Sequence, residues 1–166
     1  MYLENNSTNR IPMNPILAWT FVGLWMLLIF LFSAQTGTDS GSVSRSIAEA
    51  TLRLLNQHAS ETAIAGLEGV IRSLAHGSIF FILAILTSNA MTRTGIADIR
   101  NAIITLVGCA LYAVSDEWHQ SYVPGRASQI EDFGIDLLGI ILAVLIYQGI
   151  VILRYIKSKK EKEEAF

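Results

Sequence analysis

The sequence predicts an all-α fold: a four-helix transmembrane bundle with amphipathic helices in the long outer loop between helices 1 and 2. Three observations carry this. Of the 166 residues, 52% are hydrophobic and only 16% are charged, against about 25% charged in a soluble domain; mean hydropathy is +0.45. The charges are bunched: no Asp, Glu, Lys or Arg falls between Arg10 and Asp39, Arg72 and Arg93, Arg100 and Asp116, or Asp136 and Arg154. A spanning helix needs about 20 mostly apolar residues, and each of these runs can supply one. The same composition excludes disorder for most of the chain. A net charge of −2 provides no basic field to gather nucleic acid, and the single cysteine, Cys109, excludes an internal disulfide or a cysteine metal cluster.

The first span is placed at Pro15–Phe32. Its apolar run is too long and its flank too poor in charge for a signal peptide, although Phe32-Ser33-Ala34 faintly resembles a cleavage site. The segment Gln35–Arg72 is too polar to span. Within it Val43, Ile47, Ala50 and Leu54 recur at helical spacing, and Ile64, Leu67 and Ile71 repeat the pattern. This predicts one or two amphipathic helices that lie on the membrane surface or cap the bundle, with or without a chemical role. The second span is placed at Leu74–Met91, the third at Ala102–Trp118 and the fourth at Ile130–Leu153. The last two reach full length only if Asp116, Glu117, Asp132 and Asp136 sit at or just inside the membrane edge. Residues 1–156 are then one membrane domain, and 157–166 form a charged tail, frayed or continuing the helix.

Orientation follows from loop arginines and lysines. With the N-terminus cytoplasmic, Arg10, Arg93, Arg100, Arg154, Lys157, Lys159, Lys160 and Lys162 lie inside, and Arg45, Arg53, Arg72 and Arg126 lie outside. Both termini are therefore expected in the cytoplasm. Nine of the fourteen acids then fall on the outer side.

On this map the strongly polar groups converge on the outer leaflet, and the cytoplasmic ends look plain. Ser33 and Gln35 end the first span. Arg72 and His76 begin the second. Ser115, Asp116, Glu117, His119 and Gln120 end the third, and Glu131, Asp132 and Asp136 begin the fourth. Arg72 with His76, Asp116 with Gln120, and Asp132 with Asp136 are i,i+4 pairs, so each pair shares one helix face. Facing lipid would cost each ionisable group several kcal/mol, which predicts inward-facing, mutually paired groups lining an outward-opening pocket. Asp132 also suits the positive start of a helix. Pro124-Gly125 reads as a tight turn that folds the fourth span back on the third and directs Arg126 toward the carboxylates.

These residues resemble the VanZ-like family of small bacterial multi-pass membrane proteins associated with low-level teicoplanin resistance. The specific stretch is Glu117-x-x-Gln120-x-x-x-Pro124-Gly125-Arg126-x-x-x-x-x-Asp132; Ser33-x-Gln35 and Arg72-x-x-x-His76 add to it, and the match touches all four spans. The resemblance implies a polar signature at Gln35, His76, Glu117, Gln120, Arg126 and Asp132. It implies a cell-envelope protein of the bacterial plasma membrane. Two positions depart from the pattern: Arg72 stands where lysine is common, and Asp136 where asparagine is common.

With the resemblance, the cluster suggests a site for an anionic lipid or lipid-linked wall precursor of the polyprenyl-phosphate type. Gln35, Arg72, Gln120 and Arg126 would bind the substrate, the arginines holding phosphate. His76, Glu117 and Asp132 are the candidate catalytic groups. Asp116, Glu117, Asp132 and Asp136 could hold a divalent cation, Mg²⁺ or Mn²⁺, for metal-assisted chemistry at phosphate. The Asp132/Asp136 pair resembles the paired aspartates of membrane enzymes that hold a phosphate-bound metal, without the rest of their motif. Two other readings stand beside catalysis: a lipid-binding or transport module, and a polar cluster that only ties the helices together. A serine nucleophile among Ser33, Ser115, Ser121 and Ser128 has no local motif behind it. Cys109 reads as core packing, and Trp118 and Tyr122 as members of an interfacial aromatic belt.

Overall fold

A computed structural model describes residues 14–55, 60–126 and 130–164. Arg10, Ser128 and the last two residues of the tail lie outside the described residues. The described chain forms five helices and no strand: α1 (Pro15–Ser33), α2 (Gly37–Leu54), α3 (Glu61–Arg93), α4 (Asp98–Gln120) and α5 (Ile130–Glu164). Four of them, α1, α3, α4 and α5, are long and apolar enough to cross a membrane. Their exteriors carry a continuous apolar surface, including Ile16, Phe21, Leu24, Leu111, Leu142 and Leu153. A soluble monomer rarely exposes so much, whereas lipid is its natural solvent.

Local chemistry sets the helix ends. Asn14 caps α1 by accepting from the Ile16 N–H at 2.9 Å, with proline at the first helical position, where its missing N–H costs nothing. Ser60 caps α3 through the Ala63 N–H, and Glu61 follows in the first turn. α3 ends where Gly95 takes φ +85°. The Ile96 N–H then bonds the Met91 carbonyl at 2.9 Å, and the Gly95 N–H bonds that of Thr92 at 3.2 Å.

One element differs from the sequence expectation, and a second decides between alternatives that the sequence left open. The Ile64–Leu67–Ile71 pattern is not a separate surface helix; it is the start of α3, which at 33 residues is about 50 Å long and exceeds the hydrocarbon thickness. Nothing between Ser60 and Leu74 stops a helix, because Gly66 and Gly69 lower propensity without breaking it. In the charged tail the helical alternative holds: α5 continues unbroken to Glu164, supported by i,i+4 pairs such as Lys160–Glu164 at 3.6 Å.

α2 folds back against the extended start of α3. It packs through small residues, with Ala48 fully buried and Gly41 beside Glu68, and Arg45 bridges to Glu61 at 2.6 Å. The Val43, Ile47 and Leu54 face is exposed.

α3 is the centre of the bundle and contacts α1, α2, α4 and α5. The core uses small side chains, Ala18, Ala84, Ala90, Ala113 and Ala143, around Ile29, Phe80, Leu83 and Ile140. Small residues allow close backbone approach, which drives packing where lipid is as apolar as the interior. The closeness is greatest between α3 and α5, where a β-carbon on Gly139 would collide with the Gly77 carbonyl. Gly134, on the same helix, has open space around it.

The end of the bundle away from α2 is not plain. Asn101 is buried and its amide donates to the Ser88 carbonyl (2.9 Å), Thr92 Oγ1 (3.0 Å) and the Ile96 carbonyl (3.2 Å). Thr105 donates to Asn101, and the Tyr147 hydroxyl reaches Thr92 Oγ1 at 2.9 Å. This neutral network joins α3, α4 and α5.

Candidate functional site

The polar end of the bundle is assembled by one turn. Val123, Pro124, Gly125 and Arg126 form a type II turn: Gly125 has φ +75°, and the Arg126 N–H bonds the Val123 carbonyl at 3.1 Å. The Pro124 carbonyl accepts from the Gly37 N–H at 3.2 Å, which fixes the start of α2 to the turn. The fit is close enough that a β-carbon on Gly37 would overlap the Gly125 carbonyl. From this turn Arg126 donates through Nη2 to the Phe32 carbonyl at 3.2 Å. It thereby places a cation at the negative end of α1.

Arg126 is half-buried, and burial, then the nearby positive charge of Arg72, pull its pKa below the usual guanidinium value. Asp116, Asp132 and Glu117 oppose that shift. Its Nε–H is buried and has no hydrogen-bond partner among the described residues.

Gln120 is 1% exposed and directs both amide hydrogens inward, to Asp116 Oδ2 at 2.7 Å and to Ser33 Oγ at 3.2 Å. The i,i+4 pairing of Asp116 with Gln120 is thus realised as a hydrogen bond. Gln35, expected in the pocket wall, is exposed instead, and Ser33 takes the inward position on α1. The helix ends at Ser33, two residues earlier, so Gln35 no longer follows the face that Ser33 occupies.

Asp132 and Asp136 are both buried at the start of α5, as their spacing predicted. Asp136 is completely enclosed, with His76 Nδ1 at 3.8 Å from Oδ1. That separation is an ion-pair distance and too long for a hydrogen bond. His76 immediately precedes Gly77, and Asp136 lies one turn before Gly139, so the close backbone crossing sets the two side chains together. Glu117 on α4 completes the group: one ligand atom from each of His76, Glu117 and Asp136 lies within 4.8 Å of the others. The four carboxylates expected around a cation therefore divide. Glu117 and Asp136 share this group with His76, whereas Asp116 turns to Gln120 and Asp132 is outside the group.

His119 stacks on Phe30 with ring centroids 4.6 Å apart, beside a smaller cavity of about 380 Å³ that also borders Asp116 and Tyr112. Ser115 and Ser121 donate to the Tyr112 and Trp118 carbonyls of their own helix, at 2.7 and 2.6 Å, so neither is activated by a histidine. Cys109 is buried against Thr87, as a core residue would be. Trp118 and Tyr122 are exposed and pack edge to face.

Along the outside of α3 and α5 runs an apolar groove of about 1010 Å³, lined by Gly66, Gly69, Val70, Gly77, Phe81 and Leu142 among others. It reaches Gly77, next to His76, so the polar cluster and the groove adjoin.

Neither a curated protein nor a solved structure matches this chain. A family model described as VanZ/LLP1 matches residues 18–154, from the first buried turn of α1 into the charged end of α5. That span contains every helix that builds the polar end, and the chain belongs to the VanZ/LLP1 family.

Proposed function

We propose that the polar end of this bundle binds the head group of an anionic, lipid-linked wall precursor of the polyprenyl-phosphate type, and that the protein thereby alters susceptibility to glycopeptides such as teicoplanin. The observation that carries the reading is Arg126. It is half-buried, lies in the field of a second guanidinium, and has a buried Nε–H without a hydrogen-bond partner among the described residues. A phosphate oxygen satisfies that donor and offsets the repulsion from Arg72. The adjoining groove along α3 and α5 supplies an apolar bed for an isoprenoid chain. In a plasma membrane with both termini cytoplasmic, the site opens outward, where wall precursors are used.

A second reading has its own support. Gln120 ties Ser33 on α1 to Asp116 on α4, and Arg126 ties the turn to α1; these bonds stabilise the bundle with or without a ligand. The two readings separate in one experiment. Arg126→Ala and Arg72→Ala are purified in detergent, and binding of a polyprenyl phosphate is followed by native mass spectrometry. The binding reading expects folded variants with at least about tenfold weaker lipid binding, one charge-assisted contact being worth about 1.5–3 kcal/mol. Folded variants that bind as the wild type does leave the structural reading standing.

A further inference from the structure

We propose that His76, Glu117 and Asp136 form a binding site for one divalent transition-metal ion of the Zn²⁺ or Mn²⁺ class. The inference rests on the geometry of these three side chains and stands whether or not the polar end binds lipid.

Three helices contribute one residue each, and their ligand atoms lie within 4.8 Å of one another. Ligands bound at about 2.1 Å from a metal sit roughly 3–3.5 Å apart, so small side-chain rotations close the set. An acidic group beside a histidine is not by itself a site, and the independent observation is Asp136. Its side chain is 0% exposed, and neither carboxylate oxygen has a hydrogen-bond partner among the described residues. Isolated burial of a carboxylate is costly, and His76 Nδ1, at 3.8 Å, is too far to hydrogen-bond it. A cation between the two meets both needs: it neutralises the enclosed carboxylate and takes the imidazole lone pair.

The donor set selects the ion. An imidazole nitrogen with two carboxylates suits Zn²⁺ and Mn²⁺; Mg²⁺ and Ca²⁺ favour all-oxygen shells. Two carboxylates and a neutral imidazole also balance a divalent charge, which matters in a membrane interior. The crossing of α3 and α5 at Gly77 and Gly139 prevents His76 and Asp136 from drifting apart, so the pair is held before the metal arrives. His76 is 13% exposed and provides the route of entry.

The test uses the full chain in detergent, free of any affinity tag, stripped with a chelator and titrated with Zn²⁺, Mn²⁺ and Co²⁺ alone. One metal per chain is expected to survive desalting. Bound Co²⁺ is expected to show visible absorption bands, and X-ray absorption of the Zn²⁺ form is expected to report one imidazole nitrogen among oxygens. Losing a ligand should weaken binding more than about 100-fold, beyond the 10–100-fold usual for an outer-shell partner, in His76→Gln, Glu117→Gln and Asp136→Asn. Glu49→Gln, on α2, should bind as the wild type does. Absence of stoichiometric metal on the wild-type chain overturns the proposal. So does binding that survives both His76→Gln and Asp136→Asn, or an X-ray absorption spectrum without imidazole. The last measurement decides the matter even if the variants do not fold.

Discussion

Replacing Gly139 by alanine tests the feature on which the site depends. The added β-carbon falls well inside contact distance of the Gly77 carbonyl oxygen and also meets its carbon and α-carbon. A backbone group cannot swing aside like the tip of a side chain. The helices must therefore part by roughly 1 Å to restore an ordinary separation of about 3.5 Å. Overpacking of this kind costs about 1–3 kcal/mol. The control is Gly134→Ala on the same helix, where nothing lies within 4 Å and the better helix propensity of alanine contributes up to about 1 kcal/mol. Gly139→Ala gains the same propensity, since both glycines lie inside α5, so the two variants should differ by the overpacking cost of about 1–3 kcal/mol, Gly139→Ala being the weaker. Gly77→Ala should fall between them, because its β-carbon would meet Ile135 Cγ2 at 3.1 Å, and that side chain can shift. The assay is reversible unfolding in a single detergent, followed by the helical circular dichroism signal. Equal stability of Gly139→Ala and Gly134→Ala would refute the claim that α3 and α5 meet backbone to backbone beside His76 and Asp136.

Three further outcomes follow from the same geometry. Gln120→Leu should cost about 1–3 kcal/mol of stability, because Ser33 and Asp116 both lose a buried partner; unfolding at the wild-type midpoint would show that the amide bonds do not hold α1 to α4. Asn101→Ala should cost a similar amount at the opposite end, since three acceptors lose one donor group, and it should leave metal and lipid binding intact. Arg45→Ala should produce no measurable change in unfolding, because its bridges to Glu49 and Glu61 lie in solvent; a clear loss would mean that α2 is held by charge rather than by its Ala48 face.

Much of the fold was legible because a membrane imposes a simple rule on charge. The interval from Arg10 to Asp39 contains α1, and the predicted end at Phe32 is one residue from the observed Ser33. The rule speaks only of the apolar stretch, so it missed how far α3 runs ahead of it and left the tail after the last span undecided between frayed and helical. Ser60 and Glu61 are an N-terminal helix signal, and reading them as such would have extended the second span back to Glu61.

At the site, i,i+4 spacing correctly put Asp132 with Asp136 and Asp116 with Gln120, since a shared helix face is a local property. Which faces oppose each other is not local. The grouping of His76 with Glu117 and Asp136 depends on the Gly77–Gly139 crossing, which no local pattern announces. The Asn101 network leaves no mark in the charge pattern, because neutral amides and hydroxyls also require partners once buried.

The most direct test of the account compares two lipids on one protein. Wild-type chain in detergent is titrated with a polyprenyl phosphate and with the corresponding uncharged polyprenol. An Arg126 donor waiting for an anion predicts at least about tenfold tighter binding of the phosphate, and this preference should shrink in Arg126→Ala while binding of the polyprenol is unchanged. Equal affinity of the wild type for the two lipids would contradict the claim that the polar end is a head-group site.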